Sequence, residues 1–293
     1  MSGGVSSDGD GDGRAFGEVL VGPTAPPELH VMTYNIRRPV AHVMPHSPDR
    51  WETRRPHLAA LLEAEQPSIL GTQEAMPQTA GFVRHSLGRH YRSIGHGRSA
   101  NGGGEGCPLF YDTRRLELLD WSQQALSPTP DVPGSTGWGN RVPRILVAGI
   151  FRDRATSAHF VAVNTHFDHL SRRSRVLAAG AVREIVASCG LPAVVTGDLN
   201  SGEATAPLQE LLRDGELLDA YAIAASRLTP EWGSFPNYGT PRLDRKRIDW
   251  IATTPGIEVI EAGINPHRYA GGFGSDHLAV QAVLRMPVPA PEP

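Results

Sequence analysis

Apolar and polar residues alternate over residues 29–35, the two-residue period of a strand with one face buried. Over Trp51–Glu65 the period changes. Trp51, Leu58, Leu61 and Leu62 recur at helical spacing, and Pro67 stops the run. Short apolar strands are predicted at 68–74 and 107–111. Two more, at 145–151 and 159–165, flank Arg152-Asp153-Arg154-Ala155-Thr156-Ser157, which reads as a hairpin. Arg172–Cys189 is predicted as a helix with Val182, Ile185, Val186 and Cys189 as its buried stripe, and Arg172, Arg173 and Arg175 at its start. An apolar strand then ends in Gly197-Asp198-Leu199-Asn200. A helix over 203–213 and strands at 247–251, 257–264 and 278–284 complete the pattern. Strands and helices interleave but hairpins also occur, so the pattern predicts a mixed α/β fold rather than a simple parallel winding.

Between these elements lie irregular stretches. Residues 90–105 read as a flexible loop around Gly102-Gly103-Gly104. A phosphate cradle is disfavoured, because no Lys-Ser/Thr follows the glycines. Residues 126–144, rich in Pro, Gly and Ser, are of the length that shapes a site. Residues 1–27 are poor in apolar residues, rich in Gly and end in Pro, and are expected to be a disordered tail. Asp8, Asp10 and Asp12 imitate a calcium loop, but Val19 stands where the bidentate glutamate is needed. Residues 287–293 are a second, Pro-rich tail. The expectation is one folded domain over 28–286.

Composition narrows the class. The chain has 293 residues, a formal net charge of -3 and 20% charged residues, which is ordinary for a globular domain and argues against a dedicated polyanion binder. Two cysteines, Cys107 and Cys189, cannot build a disulfide framework or a thiolate zinc site. No apolar run would span a bilayer, and residues 1–13 lack the basic start and apolar core of a secretory signal. The expectations are a cytoplasmic location, no membrane insertion and no evident protein partner.

Candidate chemistry sits at the strand ends. Asn35, Glu74, His166, Asp198, Asn200, Asp249, Asp276 and His277 all lie at or near the end of an apolar strand, where α/β folds gather functional residues. If the backbone stays extended, Asp198 and Asn200 point to the same side. Each residue alone has a bland reading: a turn former, a helix cap at Ser275-Asp276-His277, a core histidine at His166. Four converging carboxylates, however, raise one another's pKa unless a divalent cation neutralises them. All-oxygen donors favour Mg²⁺ or Mn²⁺ over zinc. Histidines beside them supply acid, base or electrophilic help near neutral pH. Together these groups are equipment for attacking a phosphate ester with water.

Six blocks carry a wider resemblance: Thr33-Tyr34-Asn35-Ile36-Arg37, Gln73-Glu74, Asn164-Thr165-His166-Phe167-Asp168-His169, Thr196-Gly197-Asp198-Leu199-Asn200, Arg247-Ile248-Asp249-Trp250-Ile251 and Gly274-Ser275-Asp276-His277. In this order, over about 29–284, they resemble the endonuclease/exonuclease/phosphatase superfamily with its deoxyribonuclease I-like fold. Gly104-Glu105-Gly106-Cys107-Pro108-Leu109-Phe110-Tyr111 and Pro143-Arg144 resemble its bacterial phosphohydrolases related to the deadenylase and nocturnin branch. The resemblance implies a four-layer α/β sandwich, two packed mixed β-sheets flanked by helices, with the site at one edge. It implies Glu74 as main metal ligand, assisted by Asn35 and Asp276. His277 is implied as general base or phosphate contact oriented by Asp249, and Asp198 as the group that positions or activates water, held by Asn200. His166 is implied at the non-bridging oxygen, with Arg144 and His169 at the substrate. That branch has basic residues just after the catalytic histidine, whereas Asp168 and His169 stand there in this chain, which argues against a poly(A) or dinucleotide substrate.

The expected function is therefore a Mg²⁺-dependent phosphohydrolase of a small phosphorylated metabolite, acting by in-line displacement. The alternative is a DNA or RNA nuclease, which would need a basic groove from Arg172, Arg173, Arg175, Arg242, Arg245, Lys246 and Arg247. An inactive binding module on the same fold is disfavoured, since no position of the constellation is missing.

Overall fold

The computed structural model describes residues 19–41 and 44–287. β1 (Glu28–Asn35) leads into α1 (Trp51–Glu65), which returns the chain to β2 (Ile69–Gln73), parallel to β1. α2 (Pro77–Leu87), β3 (Tyr91–Ile94) and β4 (Leu109–Asp112) follow. β5 (Leu116–Ala125), β6 (Ile145–Asp153) and β7 (His159–His166) are paired antiparallel. α3 (Arg172–Cys189) then crosses to β8 (Ala193–Asp198), parallel to β7. After α4 (Ala206–Leu211) come β9 (Leu218–Asp219), α5 (Ala220–Ile223), β10 (Ser226–Arg227), β11 (Asp249–Thr253), β12 (Glu258–Ile264) and β13 (Val280–Arg285). One sheet runs β10-β12-β13-β1-β2-β4-β3 and the other β5-β6-β7-β8-β11-β9.

The two sheets pack face to face and each carries helices on its outer side, the expected four-layer α/β sandwich. Strand periodicity decides what goes where. Leu29 and Val31 of β1, Phe160 and Ala162 of β7, Val194 of β8 and Ile251 of β11 fill the space between the sheets. The intervening residues face outward. Met32 and Tyr34 meet Leu58, Leu61 and Leu62 of α1 and Val83 and Leu87 of α2. Val161, Val163, Val195 and Trp250 meet Ala178, Ala179 and Val182 of α3 and Leu208 of α4.

Continued to the strand ends, the inner rows change character. β1 ends its inner row at Asn35, β7 at His166 and β8 at Asp198, and β11 begins its own at Asp249. In register His166 lies beside Asp198, and Asp198 beside Asp249. One step deeper is a polar layer. Asn164 Oδ1 accepts from Gln73 Nε2 (2.7 Å) and Thr196 Oγ1 (3.1 Å), while its Nδ2 donates to Thr72 O (2.8 Å) and Cys107 O (3.0 Å). Gly71 lets the sheets approach here, since a Cβ would sit 2.3 Å from Thr196 Oγ1 and 2.6 Å from Asn164 Oδ1.

Several boundaries differ from the sequence reading. Residues 19–27 belong to the fold: the N–H groups of Leu20, Val21 and Gly22 donate to the Glu65 carboxylate at 2.8–3.1 Å. The calcium-like aspartates fall outside the described residues, as does the C-terminal tail after Pro287. The predicted loop at 90–105 contains β3, whose short Tyr-Arg-Ser-Ile run has buried ends and an exposed middle. Its glycines form a tightly bonded turn instead of a flexible loop, with Gly97 N–H on Gly102 O (2.9 Å) and Ser99 N–H on Gly103 O (3.0 Å). The alternation in β5 is blurred by a bulge between Leu118 and Asp120, which hides that strand from a periodicity argument. The helix expected over 203–213 is shorter, with a 3₁₀ turn at Arg213–Gly215. On α3 the buried stripe runs through Ala178, Ala179, Val182 and Val186, with Ile185 and Cys189 at its margin.

Candidate active site

The site grows from the row of inward-facing strand ends. Asn35, 1% exposed, donates through Nδ2 to Glu74 Oε1 (3.2 Å) and Asp198 Oδ2 (3.0 Å), so it bridges the two sheets. Its Oδ1 accepts the Arg37 N–H (3.0 Å). His277 Nδ1 pairs with Asp249 Oδ2 at 2.9 Å, and Ser234 Oγ donates to the same oxygen at 2.6 Å. Asp198 Oδ2 lies 3.5 Å from His166 Nε2 and 3.8 Å from His277 Nε2. Phe235 lies against the His277 ring, centroids 4.8 Å apart. Ser275 Oγ donates to Asn35 O (2.6 Å) and lies 3.1 Å from Asp276 Oδ1, which ties the loop before β13 to the end of β1.

The turns that present these groups are held open from several directions. Arg37, Glu74 and Asn200 all have positive φ (53°, 57° and 48°), a region costly for non-glycine residues and typical of functional loops. Asn200 departs from the sequence reading. The strand stops at Asp198 and the chain turns, so Asn200 holds Asp198 Oδ1 with its backbone N–H (2.9 Å), while its side chain leaves to bind Phe167 O (3.0 Å). Arg54 of α1 is fully buried and gathers Ile36 O (2.7 Å), Asp49 O (3.3 Å), Gly274 O (3.3 Å) and Arg37 O. One guanidinium thus fixes both loops that flank Asn35 and Asp276.

Charge is distributed unevenly. Burial and the neighbouring Asp249 push Asp198 up to about 7. His277 goes the other way. Burial alone would lower it, but Asp249, Asp198 and Asp276 outweigh that and raise it to about 10, so it is an imidazolium at neutral pH. With that charge His277 suits a phosphate contact better than a general base. His166 is pushed well below its ordinary value by burial and by Arg144 and Arg98, so it is neutral. Burial raises Asp276, whereas Glu74 is lowered because the Arg38 N–H, the Asn35 amide, His277 and Arg37 outweigh its burial.

Which groups suit a metal follows from what each oxygen already does. Asp198, Asp249 and His277 place ligand atoms within 4.8 Å of one another. The His277–Asp249 hydrogen bond takes up Nδ1 and Oδ2, while Asp249 Oδ1 has no hydrogen-bond partner among the described residues, so this trio is a charge-paired cluster with donor atoms to spare. Glu74 and Asp276 differ: the Arg37 guanidinium lies 3.8 Å from Glu74 and 3.4 Å from Asp276, while its main partner is Asp49 (3.1 Å). Two acids that draw a cation held elsewhere are a donor set suited to a hard divalent ion, with Asn35 Oδ1 as a neutral third oxygen.

Beside Glu74 and His166 opens a cavity of 420 Å³, lined also by Arg38, Arg98, Glu105, Val142, Arg144 and His169. Arg144 is 4% exposed. Its Nη2 meets His169 Nδ1 at 3.1 Å, Asp168 lies 3.5 Å from its Nε, and among the described residues neither Nε nor Nη1 has a hydrogen-bond partner. Arg144 and His169 therefore line one cavity with Glu74 and His166. Arg98 and Glu105 escaped the sequence reading. The available signal was two opposite charges flanking a triple glycine between two short strands.

A model of the endonuclease/exonuclease/phosphatase family matches residues 32–277, and the chain belongs to that family. An endonuclease/exonuclease/phosphatase family protein of Bacteroides thetaiotaomicron is 29% identical, with a TM-score of 0.83 over 90% of this chain and 100% of that one. A mannosyl-6-phosphatase of the same organism is 29% identical, with a TM-score of 0.81 over 87% and 99%. The human nocturnin catalytic domain, at 19% identity and a TM-score of 0.64 over 88% and 94%, shares the fold. An uncharacterized protein of Acanthamoeba polyphaga mimivirus, L388, is 28% identical over 162 residues, 48% of this chain and 54% of that relative, so the match spans about half of its length. The chain is accordingly a phosphohydrolase of this family.

Proposed function

We propose that this chain is a divalent-metal-dependent phosphomonoesterase acting on a small phosphorylated metabolite. The observation that carries the reading is the cavity beside His166 and Glu74. At 420 Å³ it matches a small ligand, and it is lined by a buried arginine, two of whose nitrogens have no hydrogen-bond partner among the described residues. The similarity to a mannosyl-6-phosphatase supports it. Three of the seven residues a nucleic-acid groove would need are committed elsewhere. Arg247 is buried on Asp219 (3.0 Å), Arg242 is paired with Asp244 (2.6 Å), and Arg175 donates to Asp168 O (2.9 Å). Among the described residues no helix is long and apolar enough to cross a membrane.

Glu74, Asp276 and Asn35 would hold Mg²⁺ or Mn²⁺, and the bound ion supplies neutralisation of the phosphoryl oxygens. Asp198, with a pKa near the working pH, takes a proton from the attacking water. Neutral His166 donates a hydrogen bond to a non-bridging oxygen. The imidazolium of His277, fixed by Asp249 and Ser234, faces the charge that develops on the phosphoryl group. Water oxygen bonds to phosphorus as the bond between phosphorus and the ester oxygen breaks; the ester oxygen leaves with the bonding pair and takes a proton from solvent. The products are an alcohol and orthophosphate.

The test is Mg²⁺-dependent release of phosphate across hexose phosphates, dinucleotides, an aryl phosphodiester, RNA and DNA. Asp198→Ala should lower kcat by roughly 10²–10⁴-fold. It should stay folded, because burial and Asp249 already disfavour its charge. Cleavage of polymers without release of phosphate from any monoester, or near-normal turnover by Asp198→Ala, would overturn the proposal.

A further inference from the structure

Arg98 and Glu105 stand across from each other on the glycine turn. Their backbones pair through Arg98 N–H on Glu105 O (2.9 Å), and their side chains through Arg98 Nη2 to Glu105 Oε1 (2.9 Å). The turn is closely packed. A Cβ on Gly97 would lie 2.1 Å from Gly103 O, and one on Gly106 would lie 2.9 Å from His96 O. Isolated Gly97–Gly106 and Ala75–Gly106 bridges anchor it to the segment that follows Glu74. Arg38 adds a second cation 3.5 Å from the same Glu105 oxygen. Glu105 and Arg98 keep 12% and 17% of their side-chain surface exposed, and both line the cavity.

This arrangement is selective about what can lie against it. A second phosphate would bring its charge against Glu105, in competition for cations the carboxylate already holds. A nucleobase would want an aromatic platform; among the described residues no phenylalanine, tyrosine or tryptophan lines the cavity, and Phe235 lies instead on His277. A hydroxyl both donates and accepts, so two neighbouring hydroxyls satisfy a carboxylate and a guanidinium at once. We propose that the Arg98–Glu105 pair reads the leaving alcohol, and that the substrate is the phosphate monoester of a small polyhydroxylated compound such as a sugar. This rests on the phosphomonoesterase reading above and adds the identity of the leaving group.

The test compares kcat/KM for a hexose 6-phosphate and for phenyl phosphate, with Mg²⁺, in the full chain and in Glu105→Gln and Arg98→Gln. Thermal melting confirms that each variant is folded. The wild type should prefer the sugar ester, and each variant should lower that preference by about 10- to 100-fold, the worth of a hydrogen bond to a charged group. Equal losses on both esters would make the pair a structural or phosphate-contacting element and overturn the inference. So would a preference within about twofold of wild type in both variants. Wild-type turnover of phenyl phosphate alone would overturn the inference and leave the phosphatase reading standing. Release of phosphate from neither ester would remove that reading, and this one with it.

Discussion

At the scale of the residue, Asp249 shows how one carboxylate sets the charge of another group. It is fully buried, it accepts from His277 Nδ1 and Ser234 Oγ, and it is the largest of the influences that raise His277. Asp249→Asn keeps the shape and removes the charge. We expect kcat to fall by roughly 10²–10⁴-fold, the range that positioned acid–base groups contribute. Mg²⁺ affinity by calorimetry should change little, since Asp249 is not among the oxygens assigned to the ion. A matching loss of affinity would make Asp249 a ligand instead. The identity of such residues was legible in the sequence because each follows or opens an apolar run. Their protonation was not, because it depends on partners such as Asp249 and Asp198 that lie on different strands. Asn200 marks the other limit. Its place was legible, but the left-handed turn that sends its side chain to Phe167 is a backbone choice that a Gly-Asp-x-Asn string leaves open.

At the scale of the element, the distance between the sheets is fixed by a polar layer as well as by the apolar core. Gln73 and Asn164 hydrogen-bond across the gap directly beneath the candidate row, Thr196 holds Asn164 from the neighbouring strand, and Gly71 leaves them room. Gly71→Ala should cost about 1–3 kcal/mol through overpacking and spread the row, lowering both melting temperature and activity. Gly81→Ala, on α2 with nothing within 4 Å of the new Cβ, should instead raise stability by roughly 0.5–1 kcal/mol and leave activity alone. Thermal melts of both variants check the opposite signs; a neutral Gly71→Ala would mean that the sheets are free to separate. The long helices α1 and α3 and the core strands were readable from periodicity. The strands β3 and β5 and the helix α2 were not, since two exposed residues, a bulge and a weak apolar stripe each blur the period.

At the scale of the whole molecule, α1 works as a strut. Its first turn carries Arg54, which gathers the two loops at the site, and its last residue, Glu65, collects the opposite end of the fold. Glu65 accepts from Leu20, Val21 and Gly22 N–H, from Asn265 Nδ2 (3.1 Å) and from Tyr269 Oη, while His30 Nδ1 contacts Gly22 O (2.9 Å). Burial pushes the Glu65 carboxyl up, but Tyr269 and the N–H groups of Gly22 and Leu20 bring it below its ordinary 4.5. Burial lowers His30 below 6.5 against the pull of Glu65. An unfolded chain therefore binds protons at both groups before the folded one does. Stability is full above about 6.5 and is lost as pH falls through the lowered folded values of His30 and Glu65. Melting temperature should drop steadily from pH 7 towards pH 4. Glu65→Gln should melt lower than wild type at pH 7, and the gap should narrow as acid neutralises the wild-type carboxylate. A gap that stays constant with pH would show that the shape of Glu65, rather than its charge, holds the N-terminal segment to α1. The strut would then transmit no acid sensitivity to the loops at its other end.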